Sequence, residues 1–260
     1  MSEDLEGKHG VQSLEVGMSI LRAMTTGKRS MMLKDIAAAA GMPPSKAHRY
    51  LVSLIRSGLV EQDPQTSRYD LGPFALSLGL VALDRIDRIR LGLNAITDLR
   101  DAVNETTALA VWSDNGPVVV RWERPRRPIT VNVVTGTTLG LLSSAVGQVF
   151  CAWLPERQVE PLIQREIEAG RSQAGIASMD DARQLLADVR ARGLSVISGN
   201  YILRGVEAVA APVFNFKNEI TLAIVLVAVE GSMDLTEHSP TLAALRDAAH
   251  ALSQRLGATL

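Results

Sequence analysis

Three short stretches near the start of the chain repeat apolar residues at helical spacing. Residues 11–24 carry Val11, Leu14, Val16, Met18, Ile20 and Leu21, with Ser13 available as an amino-terminal cap and Gly27 beyond the end. A second stretch places Leu33, Ile36, Ala37 and Ala40 on one face before Gly41 stops it. A third runs from Pro44 or Ser45 to about Ser57, with Ala47, Tyr50, Leu51, Leu54 and Ile55 spaced to face a core and Gly58 as its stop. The period then changes. Leu59-Val60-Glu61-Gln62 and Arg68-Tyr69-Asp70-Leu71 flank the turn-forming Asp63-Pro64-Gln65-Thr66-Ser67, which reads as a hairpin. Three helices and a hairpin predict a winged helix over residues 11–72, behind a flexible polar tail of residues 1–10. Its last two helices, joined by a short turn containing Gly41, stand in helix-turn-helix order.

Residues 73–103 are rich in helix formers and carry Leu76, Leu80, Leu83, Ile86, Leu91, Leu93, Ile96, Leu99 and Val103, which predicts a helical linker of one or two helices. That apolar face is wider than a short linker needs, so it also predicts self-association. Strands are then expected near 106–113, 118–123 and 129–133, and helices near 144–153, 157–169 and 180–192. Further strands are expected near 194–198, 206–214 and 219–229, with a last helix near 239–256. Strands flanking grouped helices make residues 104–260 a mixed α/β or α+β domain. The expected fold is thus a mixed α/β chain of two domains.

Composition supports a globular protein, with 47% of the 260 residues hydrophobic and 21% charged. The net charge of −1 argues against a surface that binds polyanions all over. It hides a local excess: residues 22–59 hold seven basic side chains, Arg22, Lys28, Arg29, Lys34, Lys46, Arg49 and Arg56, against one acid, Asp35. Cys151 is alone, so neither a disulfide nor a multi-cysteine metal site forms within one chain. The start, MSEDLEGKHG, lacks the basic residues and apolar run of a signal peptide, and the apolar run at 220–229 is about half a membrane span. A cytoplasmic protein is expected.

The candidate chemistry follows from these placements. On the third helix Lys46, Arg49, Ser53 and Arg56 recur at steps of three and four, opposite the apolar stripe, with Ser45 and His48 beside them. In isolation such a stripe is a solvated helix face. On the third helix of a winged helix it is a recognition surface, where Arg and Lys suit guanine and phosphate and Ser meets either. Arg49 is the leading candidate to read a base. Thr66, Ser67 and Arg68 at the hairpin tip are sized to touch the neighbouring backbone. His9, His48, His238 and His250 share no metal spacing, Cys151 sits among apolar neighbours, and the glycines from Gly136 to Gly140 precede no lysine. No metal and no cofactor are therefore expected. Trp112 and Trp122 are left open between core and pocket wall.

The string LKDIAAAAGMPPSKAHRYL at 33–51, followed by Gly58-Leu59-Val60, resembles the IclR family of bacterial transcription regulators. The likeness extends to Gly193-Leu194-Ser195-Val196, Arg204-Gly205-Val206, Ala210-Ala211-Pro212-Val213 and the strand around Ala223, which are similar to that family's GAF-like ligand-binding domain. The resemblance implies a double-stranded DNA operator, a homodimer or tetramer, and a small organic effector in the carboxy-terminal domain. It also implies a pocket lined by Leu139, Ala145 and Val146, from a loop at 139–147 whose N–H groups meet an anion. Later strands complete that pocket. Where members that bind small keto acids carry Asp, Cys, Ser and Ser, this chain has Ser198, Ala208, Val225 and Val227, with Asn200 nearby. The loss of polarity implies an acid with an apolar or aromatic body. Two rivals stand beside this reading: an enzyme tethered by its helix-turn-helix, against which no nucleophile-and-base pair or metal set is found, and an assembly module, against which the basic excess speaks.

Overall fold

The computed structural model describes residues 10–26, 30–125, 135–172, 175–198 and 205–259, and the chain divides into two compact units, one up to Ile86 and one from Asp87. The first unit contains α1 (Gln12–Thr26), α2 (Leu33–Ala39), α3 (Pro44–Arg56), β1 (Val60–Gln62), β2 (Tyr69–Leu71) and α4 (Pro73–Asp84). The amides of Leu14 and Glu15 both donate to the carbonyl of Val11. The helix therefore begins at Gln12, and Ser13 lies inside its first turn instead of capping it. Gly27, Lys28, Arg29 and most of the amino-terminal tail lie outside the described residues.

Both helices of the helix-turn-helix end the same way. After α2, Met42 N–H donates to the Ala37 carbonyl at 3.0 Å and Gly41 N–H to that of Ala38 at 3.1 Å. After α3, Leu59 N–H donates to the Leu54 carbonyl at 3.0 Å and Gly58 N–H to that of Ile55 at 2.9 Å. This double bond pattern needs a left-handed residue, and Gly41 and Gly58 supply it at φ +64° and +74° without a Cβ penalty. Pro44 opens α3 at a position whose N–H has no partner within the helix. Ile20, Ile36, Ala37, Ala47, Leu51, Val60 and Tyr69 fill the core between the helices and the wing. Each fully buried Ile or Leu contributes roughly 1.5–3 kcal/mol.

The wing pairs Val60 with Leu71, Glu61 with Asp70 and Gln62 with Tyr69. Met31 adds a further rung by exchanging two backbone bonds with Tyr69, at 3.0 and 2.9 Å. Beyond it α4 is tied back by Phe74 N–H on the Gly58 carbonyl. Phe74, Leu76, Leu78, Leu80 and Val81 on α4 are exposed.

Residues 73–103 are not one linker. The helix breaks at 85–87, where the Asp87 side chain caps α5 (Arg88–Val103) by accepting from Arg90 N–H at 3.0 Å. The second unit takes in α5, a helix that the apolar pattern assigns to the linker, because Leu91, Ile96 and Leu99 are buried within it. The unit continues through β3 (Thr106–Ser113), β4 (Gly116–Glu123), α6 (Ala145–Trp153), α7 (Glu156–Glu168), α8 (Met179–Arg192), β5 (Ser195–Ile197), β6 (Val206–Phe214), β7 (Ile220–Val229) and α9 (Pro240–Arg255). The strand expected at 129–133 lies outside the described residues.

These strands form one antiparallel sheet in the order β4-β3-β7-β6-β5. Facing residues fix which side chains share a surface. Thr106, Val227, Ala208 and Ile197 lie in one row, and Trp122, Ala108, Val225, Ala210 and Ser195 in the next. That face carries α6, backed by α7 and α8, and the opposite face carries α5 and α9. β7 is covered on both sides, which explains its apolar run from Leu222 to Val229.

Candidate functional site

Every side chain predicted to face DNA is exposed: Ser45, Lys46, His48, Arg49, Ser53 and Arg56 on α3, and Thr66, Ser67 and Arg68 on the wing. Ala47, Leu51 and Leu54 of the same helix are buried, so one helix presents a packed stripe and a basic stripe on opposite sides. Among the described residues no acid pairs with Lys46, Arg49 or Arg56, which leaves these cations free for an external anion. Arg68 is partly committed, since its guanidinium donates to the Ser30 carbonyl at 3.0 Å. The wing turn is held by Asp63, whose carboxylate accepts from Gln65 N–H at 2.7 Å and Thr66 N–H at 3.3 Å. These bonds, led by that from Gln65, hold the Asp63 carboxyl below the usual carboxylate range. Ser67 completes the turn in the left-handed region at φ +56°.

On the second unit, Ala145, Val146, Val225 and Val227 belong to one buried cluster, with Leu139 and Ala208 packed against it. The sheet register puts Val227 beside Ala208, one row from Val225. Ser198 follows β5 and is exposed, so it does not join this group, and Asn200 and Arg204 lie outside the described residues. Cys151 is buried in the same core, and burial pushes its thiol strongly upward, which suits packing and not nucleophilic attack.

The loop at 139–147 departs from the anion cradle expected of it. The carboxylate of Glu166 on α7 already accepts from the amides of Leu141 at 2.7 Å and Leu142 at 2.9 Å. The Ser144 hydroxyl caps α6 by accepting from Gly147 N–H at 2.9 Å, and Leu139 N–H donates to the Pro117 carbonyl. An internal anion thus fills half of the cradle. Ala145 and Val146, the first two residues of α6, keep amides with no acceptor among the described residues. Behind them Gln148 donates to the Leu142 carbonyl at 2.8 Å and accepts from the Ser195 hydroxyl at 2.6 Å, which joins the loop to β5.

Glu166, Gln148 and Ser195 were not among the predicted site residues. For Glu166 a signal existed: it falls on the buried stripe of α7 with Val159 and Ile163, at steps of four and three, where an acid needs a partner. The partner amides lie 25 and 24 residues away, and nothing local points to them.

Comparisons with known proteins agree along most of the chain. Residues 13–64 match the family IclR helix-turn-helix domain, and residues 81–254 match Bacterial transcriptional regulator IclR C-terminal. The Glycerol operon regulatory protein of Streptomyces coelicolor is 32% identical over 257 residues, covering 95% of this chain and 97% of that one. The crystal structure of Pseudomonas aeruginosa HmgR, 38% identical, superposes with a TM-score of 0.83 over 96% of this chain and 99% of its own. An IclR homologue from Microbacterium hydrocarbonoxydans, solved in complex with 4-hydroxybenzoate, shares the fold at 21% identity, with a TM-score of 0.57 over 94% of this chain and 99% of its own.

Proposed function

The chain belongs to the IclR family of bacterial transcription regulators, and from that premise we propose that its α3 face reads an operator while its second unit answers to a small organic acid with an apolar or aromatic body. It is a DNA-binding transcription regulator, and its curated relatives carry regulators' names. We read it as a binding protein and not an enzyme. Its place is the cytoplasm, with the DNA. No helix among the described residues is long and apolar enough to cross a membrane.

The observation that carries the effector reading is the apolar group Ala208, Val225 and Val227 on the sheet face beneath α6, whose first two amides have no acceptor among the described residues. Burying an apolar ring gains roughly 25 cal/mol per Å², whereas a second charge against those walls costs several kcal/mol. The 4-hydroxybenzoate bound by the Microbacterium relative has this chemistry. A thermal-shift screen of small keto acids against aromatic and longer aliphatic acids tests it, followed by calorimetry on Val227→Ser. Tight binding of a two- or three-carbon keto acid, with no response to any apolar acid, overturns the reading.

The regulator works as a pair. A single α3 reads too few base pairs for a specific site, and α4 offers an apolar surface with no charge from Phe74 to Leu80. An effector shifts DNA affinity only by the difference in its affinity for the two states of the dimer. Gel-shift titration with and without the acid measures that difference.

A further inference from the structure

Trp122 sits on β4 opposite Ala108, and Ala108 in turn faces Val225 on β7. Its ring therefore lies on the sheet face that carries α6, and it packs against the same cluster as Val146, Val225 and Val227. The indole nitrogen Nε1 is buried and has no hydrogen-bond partner. An indole N–H is a donor and nothing else, and a dry, unpaired donor in a folded protein calls for an acceptor. Ala108, Val225 and Val227 beside it have no side-chain oxygen. Of the polar groups on this face, Gln148 and Ser195 bond each other and Gln148 also holds the Leu142 carbonyl, while Thr106, in the row of Val227, does not reach the indole. Trp122 is thus a large, mostly apolar side chain with one unpaired polar atom buried against a largely apolar face.

We propose that Trp122 is a specificity-determining residue of the effector site, its indole N–H donating to a hydroxyl or carbonyl oxygen on the body of the bound acid, away from the carboxylate held at the start of α6. This rests on the effector reading above and adds to it a second polar point on the ligand. A pocket built around such a donor rejects the analogue that lacks the oxygen, because the N–H is then left unpaired.

The test uses matched benzoates and phenylacetates that carry either a hydroxyl or a methyl group at the same ring position. Calorimetry on the unmodified protein is expected to show at least one pair in which the hydroxylated acid binds about tenfold more tightly. Trp122→Phe, which keeps the ring and removes the donor, is expected to bring that pair to within about threefold. A preference unchanged in Trp122→Phe, or no pair discriminated by the unmodified protein, overturns the inference while leaving the effector reading intact. Failure of every acid to bind overturns the effector reading and this inference with it. A second measurement needs no folded variant at that position. With ¹⁵N-labelled tryptophan, the Trp122 indole signal is identified by elimination through Trp112→Phe and Trp153→Phe. It is expected to move on adding the hydroxylated acid and not the methylated one. An indole signal that ignores every bound acid overturns the assignment.

Discussion

Glu166, near the end of α7, accepts a hydrogen bond of 2.7 Å from the backbone amide of Leu141, in the loop that leads into α6. With Leu142 taking the other oxygen, a carboxylate of the protein itself occupies amides that an anion-binding loop otherwise offers to a ligand. The loop is thereby held in shape by the protein's own carboxylate, and on the effector reading proposed above that leaves the first turn of α6 to a bound acid. Preorganisation of this kind lowers the ordering cost of binding.

Glu166→Ala leaves two buried amides unpaired and is expected to cost about 2–4 kcal/mol. Glu166→Gln, which keeps one acceptor oxygen, is expected to fall between the two. Urea unfolding of the full chain checks both, and a cost near zero for Ala shows that the clamp does not hold the loop.

Gly147→Ala tests the same loop from the helix side. An added Cβ lies 2.1 Å from the Gly140 carbonyl oxygen and 2.5 Å from that of Leu141, both main-chain atoms with little room to give. The expected loss is about 1–3 kcal/mol, as for other overpacked cores, read as a fall in Tm.

Arg49→Ala is expected to lose discrimination between operator and mutated operator, while Arg68→Ala, at the wing tip, weakens all sequences alike. Affinity for DNA is expected to fall by roughly 0.9 log units per log unit of salt for each phosphate contacted. Quantitative gel shifts at several salt concentrations measure all three. An Arg49→Ala protein with full affinity and specificity shows that α3 does not read the site.

The wing turn has a pH signature. Because Gln65 N–H and then the Thr66 hydroxyl hold the folded Asp63 carboxyl below its ordinary value, the turn's contribution is complete above the unfolded range near ~3.9. It is lost as pH falls through the lower folded value. The Gln65 amide shift, followed by NMR, is expected to titrate with a midpoint below about 3.9, and Asp63→Asn to abolish that titration. A midpoint at or above the ordinary value contradicts the hydrogen-bonded turn.

Leu78 and Leu80 on α4 are more than half exposed, at 56% and 57%. If α4 pairs two chains, the double change Leu78→Lys with Leu80→Lys places charges in an apolar interface. It is expected to raise the dimer dissociation constant about tenfold or more, the equivalent of roughly 1.4 kcal/mol. Sedimentation at micromolar concentration decides, and an unchanged assembly places the interface elsewhere.

The sequence alone determined those parts of this protein whose causes lie within one turn or one strand. Gly41 and Gly58 stop two helices through bonds spanning five residues or fewer, and the basic stripe of α3 follows from helical spacing. The strands β3, β6 and β7 were legible for the same reason, as mostly apolar runs of the right length. Only the tertiary structure decided the rest. That α5 belongs to the second unit rests on its burial there, since an apolar helix face does not name its partner. That Glu166 fills the loop, and that the Trp122 donor goes unpaired, depends on atoms brought together from separate helices and strands. Such pairings are set by how the layers pack, and a chain read in one dimension carries the demand of a buried polar group for a partner but not the partner's address.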